Sequence, residues 1–182
     1  MRELSERSLT LDEFNAWVNA GTPTGTCGEV DAGTPDAGPA PTVCSSNSFW
    51  TKGDQESESM NPGLACRACH AMKAPFKAYQ YSGTVYSSLH EKDKCNAVPP
   101  PAGTKIEILD KNGAVAATLT PNAVGNFHSP LIVNLVQLPY TARVRANGKT
   151  LTMTTPQTDT DCNSCHTEQG KNGAAGRIVW PL

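Results

Sequence analysis

No apolar run in this 182-residue chain approaches the roughly 20 residues that a membrane-spanning helix needs, so none is expected. Neither sign of charge dominates: 15 lysines and arginines face 17 aspartates and glutamates, a net of −2, which argues against a nucleic-acid surface. No secretory leader is recognisable, since Met1-Arg2-Glu3 opens directly into polar sequence. Nor is there a cluster of acid and base residues for a catalytic pocket; Glu91 and Asp93 beside His90 read as a solvated loop. What remains, 38% apolar and 18% charged residues, is enough for one modest core with attachments. Histidine is scarce as well, with four in the chain, and two of those four close the same motif.

That motif is Cys-x-x-Cys-His, written once as Cys66-Arg67-Ala68-Cys69-His70 and again as Cys162-Asn163-Ser164-Cys165-His166. Two thiols at this spacing can each form a thioether to one porphyrin edge, and the adjacent imidazole can bind the iron from one face. With seven cysteines and four histidines, one chance occurrence has odds of roughly 0.6 per cent, and two are far rarer. A zinc site would have to join the motifs across the long gap from Cys69 to Cys162, whereas close ligand spacing is usual. A thioredoxin-like dithiol wants a βαβ context and gives no reason for a histidine after each pair.

The expected cofactors are therefore two covalently attached c-type haems, held by Cys66, Cys69, Cys162 and Cys165, with His70 and His166 as proximal iron ligands. Attachment of this kind takes place outside the cytoplasmic membrane. An exported protein is expected, periplasmic, cell-surface or extracellular, its export signal removed or lying upstream. Cys27, Cys44 and Cys95 are left for one disulfide and a spare thiol. A Cys44–Cys95 bridge, slightly preferred, would tie the first haem arm to the loop carrying His90. Cys27–Cys44 would close the linker, and spacing alone does not choose between them.

Five segments follow in order. Residues 1–21 carry a capping box at Thr10-Leu11-Asp12-Glu13 and an apolar stripe of Leu11, Phe14, Trp17 and Val18, a helix closed by Gly21. Residues 22–43 are rich in Gly, Pro, Ala, Thr and Asp and read as a semi-extended linker. Residues 44–78 form the first haem-binding arm, irregular apart from one short helix at the motif. Residues 79–155 alternate with period two: Tyr81, Gly83 and Val85; Ile106 and Ile108; Val115, Ala117 and Leu119; Tyr140, Ala142, Val144 and Ala146; Leu151 and Met153. With turns at Asn112-Gly113, Pro121-Asn122 and Asn147-Gly148, these make about six short strands of a mainly β, antiparallel β-sandwich. Residues 156–182 are the second haem-binding tail.

The segments SGTVYSS, PPPAGTKIEILDKNGAVAATLTPNAVGNFHS and LPYTARVRANGKTLTM resemble the carboxypeptidase-regulatory, transthyretin-like sandwich of many exported proteins. That resemblance covers some two-fifths of the chain and implies a fold without an activity of its own. With the flanking motifs, the chain from Cys44 onward resembles exported di-haem c-type cytochromes with an immunoglobulin-like centre. Near absence of helix sets it apart from soluble cytochromes c. Leu9 to Pro23 resembles the last helix of a small cytochrome c module whose haem-bearing part is absent; a helix docked on the chain's own body or on a partner is the alternative.

Two irons need two further ligands, and the chain holds two further histidines, His90 and His128. Met60 is the one serious rival. Met72 is too near His70 to reach the opposite face, and Met153, in phase with Leu151, reads as core. Two bis-histidine low-spin haems imply electron transfer and no enzymatic activity, with other redox proteins or other copies of the chain as partners. The alternative is a haem enzyme, a peroxidase or small-oxyanion reductase, with one open iron. If the strands simply alternate up and down, both distal histidines lie at the end of the sandwich away from the motifs. An arm or tail must then fold back, or one subunit's histidine binds the next subunit's iron, a head-to-tail contact that builds a filament if it does not close.

Overall fold

The structure, a computed structural model, describes residues 43–77, 79–129 and 138–182. The helix expected within residues 1–21, the linker through residue 42 and Cys27 lie outside the described residues. The described residues hold seven strands: β1 (Ser82–Tyr86), β2 (Lys105–Leu109), β3 (Val115–Leu119), β4 (Asn126–His128), β5 (Thr141–Ala146), β6 (Lys149–Thr152) and β7 (Ile178–Val179). The first motif opens a helix, α1 (Cys66–Lys73), and the second lies on a single 3-10 turn, Cys162–Ser164.

The fold is mainly β, in two sheets ordered β3-β2-β5-β6 and β4-β1-β7. All pairings are antiparallel except β1 with β7. Asn147 and Gly148, at φ of 53° and 71°, make the two-residue turn between β5 and β6 that the Asn-Gly signal predicts. Inner faces of both sheets meet in one core, where Tyr81, Val85 and Phe127 pack with Ile106, Ile108, Leu119 and Val144.

Four features depart from the sequence expectation. β1 is buried on both faces, because the segments that carry the two motifs cover its outer side while the sandwich covers its inner one. β7 went unforeseen, since two residues in a glycine-rich tail carry no period. β6 is exposed along its length, and Leu151, expected inside, is 45% exposed. Finally, His128 is not far from the first motif. β4 has only three residues and runs antiparallel to β1, so His128 sits opposite Ser82, at the end of β1 where the first arm enters. Gly125, at φ +84°, permits this crossing: a Cβ there would come within 2.2 Å of the Val85 carbonyl.

Candidate functional site

Both motifs meet at the outer face of β1. A parallel bridge joins Ser82 to Asp161, the residue before Cys162. The Asp161 carboxylate accepts the backbone N–H groups of Cys66, Arg67 and Ala68 at 3.2, 2.8 and 3.3 Å. It thus caps α1 from a distant stretch of chain, where Ala65 at the N-cap offers no side-chain oxygen. Burial raises the Asp161 carboxyl above its usual range, against the pull of those three donors. Asn163, inside the second motif, is buried; its Oδ1 accepts the Thr84 N–H at 3.0 Å and its Nδ2 donates to the Leu64 carbonyl at 2.9 Å. Arg177 completes the join. Its fully buried guanidinium donates to the carbonyls of Gly63 at 2.9 Å, Glu91 at 2.7 Å and His166 at 3.2 Å, and to Asp93 at 2.5 Å.

Two clefts flank this junction. The first, about 560 Å³, is bordered by Cys66, His70, Met60, Tyr79 and His128. The Tyr79 ring stacks on His128 at 3.9 Å between centroids and lies 5.8 Å from the His70 ring. The second, about 320 Å³, is bordered by Cys162, Cys165, His166, Leu151 and Met153. His90 borders neither cleft; its Nδ1 lies 2.7 Å from the Glu168 carbonyl, two residues past the second motif.

A carbonyl can only accept, so this contact places a proton on Nδ1, and in the neutral ring Nε2 is then the nitrogen with the free lone pair. The same holds for His128 against the Ser129 carbonyl at 3.0 Å and for His166 against the Gly176 carbonyl at 2.9 Å. Metal-ligating histidines are commonly held this way. Burial also lowers the His166 pKa and so favours the neutral imidazole, outweighing the Gly176 carbonyl, which favours the charged one. The His70 Nδ1 is buried with no partner.

These residues fit a covalently attached haem better than zinc or a redox dithiol. Each motif histidine borders a cleft with at least one of its own cysteines, and α1 has no fully buried residue to anchor it in the core. The motif thiols do not converge on a zinc-like centre. Among the described residues the only close group of three potential ligands is Cys44, Glu91 and Cys95, and its two cysteines form a disulfide. Burial, with Asp161 adding to it, pushes the Cys66 thiol up to about 11 and the Cys162 thiol up to about 12, whereas an attacking dithiol needs a lowered value.

Asp161, Asn163 and Arg177 went unnoticed in the sequence. The only available signal was adjacency, since Asp161 precedes the second motif and Asn163 lies inside it. Compared with known proteins, the chain matches no family model, no curated protein and no solved structure.

Proposed function

We propose that this chain is an exported di-haem c-type cytochrome that carries electrons, its sandwich of the carboxypeptidase-regulatory, transthyretin-like kind. Haem iron, when bound, supplies a reversible one-electron site. The chain's own residues do the rest. Cys66 and Cys69 would hold one haem and Cys162 and Cys165 the other, with His70 and His166 as proximal ligands. Asp161, Asn163 and Arg177 hold the two attachment segments against each other, a fixed arrangement that suits passage of an electron between two centres.

The observation that carries this reading is that His128, with its Nδ1 tied to the Ser129 carbonyl, borders the cleft of Cys66 and His70. A second imidazole there would supply a second ligand to the first iron from within the same chain. It also weakens the case for ligation in trans at that haem. Other redox proteins are the partners we propose; among the described residues no helix is long and apolar enough to cross a membrane.

Carbon monoxide tests the reading against a haem enzyme. The spectrum of the reduced protein should not shift under the gas if the chain supplies both axial ligands to each iron. A shift comparable to full occupancy of one haem would favour a peroxidase or small-oxyanion reductase with an open iron.

A further inference from the structure

We propose that the second haem takes Met153 as its other axial ligand, so that the chain pairs a bis-histidine centre with a histidine–methionine centre. This rests on the di-haem reading above.

Within this chain, an iron beside His166 would draw its other ligand from the side chains that border the second cleft. Cys162 and Cys165 would be consumed by thioethers. The Tyr140 hydroxyl donates to the Asp159 carbonyl at 2.8 Å, and its ring packs edge-on against Tyr81 at 4.9 Å. The Asp159 carboxylate accepts the Asp161 N–H at 2.9 Å and the Ser164 hydroxyl at 2.5 Å. Asp161 itself caps α1. Met153 remains, half-buried against the core, its backbone fixed by an N–H donated to the Ala142 carbonyl at 2.8 Å.

The rest of the chain offers no better donor. Met60 borders the first cleft, Met72 on α1 is 78% exposed, and His90 borders neither. Outside the described residues the sequence has no histidine and only Met1 as methionine. The core reading of Met153 is thus only half the story: the side chain packs on the core and faces the cleft that holds His166.

The functional consequence is direction. Methionine–histidine ligation raises haem potential relative to two histidines. The first haem would then be the electron donor within the chain and the second the acceptor.

The test uses the full-length holoprotein and its Met153→Leu, Met153→His, Met60→Leu and His90→Gln variants. Intact mass first checks for two haem additions; fewer would refute the di-haem reading itself, separately from the ligand assignment. With two haems present, the oxidised wild type should show the weak far-red band of thioether-bound ferric haem. That band should vanish in Met153→Leu, which should also let one haem bind carbon monoxide. Met153→His should lose the band, stay closed to the gas and lower one of the two potentials. Absence of the band in the wild type, its loss in Met60→Leu instead, or a haem opened by His90→Gln would overturn the assignment.

Discussion

The carboxylate of Asp161 accepts the backbone N–H of Arg67 at 2.8 Å, across 94 positions of sequence. One cysteine-containing motif is thereby capped by the residue that introduces the other. Arg67 returns the contact through its guanidinium, which donates to the Thr160 hydroxyl. The two motif-bearing segments therefore form one structural unit on the back of β1.

Asp161→Ala should destabilise the protein by about 1–2 kcal/mol, the range for losing a helix cap, with some further loss from buried N–H groups left without an acceptor. Asp161→Asn keeps one oxygen and should recover part of this. Denaturant midpoints of the two variants and the wild type provide the comparison. An alanine variant as stable as the wild type would mean the cap does not hold the unit together.

Cys44 and Cys95 are bonded, with Cα atoms 5.3 Å apart and 51 positions of sequence separation. The bridge anchors the start of the first arm, and Glu91 nearby accepts the Ser45 N–H at 2.7 Å. Chain-entropy arguments put a loop of this length at about 4 kcal/mol, and measured bridges more often give 2–4 kcal/mol. Reduction should cost about that much stability and leave both haem attachments in place. Peptide mapping without reduction should recover the Cys44–Cys95 pair; a Cys27–Cys44 or Cys27–Cys95 pair would contradict it.

His128→Ala should open one iron to carbon monoxide, and the spectral change should not depend on protein concentration, because His128 and His70 border one cleft of one chain. Dilution to nanomolar concentration is the control. A wild type that turns high-spin on dilution would instead point to a ligand supplied by a neighbouring copy.

Glu107 on β2 lies between Arg143 and Arg145 on β5, with Nε–O and Nη1–O distances of 2.5 and 3.3 Å. Burial alone would raise its carboxyl, and the two guanidinium groups more than reverse that, leaving it below the ordinary 4.5. A carboxyl depressed in the folded state contributes stability above its unfolded value and loses it as pH falls through the folded one. Acid unfolding curves should therefore steepen below pH 4.5, the ordinary value. Glu107→Gln should flatten that limb at a cost on the order of 1 kcal/mol or less at neutral pH, since Arg145 is well exposed. An unchanged acid limb would remove Glu107 from the explanation.

The strands were legible because their signals are local. Alternation at Ile106 and Ile108 and the Asn147-Gly148 turn fix a pleated face and a reversal within a few residues. Both motifs were legible for the same reason. What escaped was long-range. No local rule announces that Asp161 will cap a helix 95 positions away, or that Arg177 will reach Gly63 across 114. Strand counting misplaced His128 because it assumed strands of full length, and β4 is three residues long. Leu151 and Met153 kept the expected phase, but their face borders the second cleft rather than a closed core, and period alone does not distinguish a side chain packed on protein from one facing an open cleft.

Covalent haem on both motifs would show in the intact mass of the denatured protein. Two haem additions are expected in the protein as isolated, falling to one in a Cys162→Ala, Cys165→Ala double variant and to one in a Cys66→Ala, Cys69→Ala double variant. A wild-type mass with no haem, or with a single addition that survives in both variants, would contradict it.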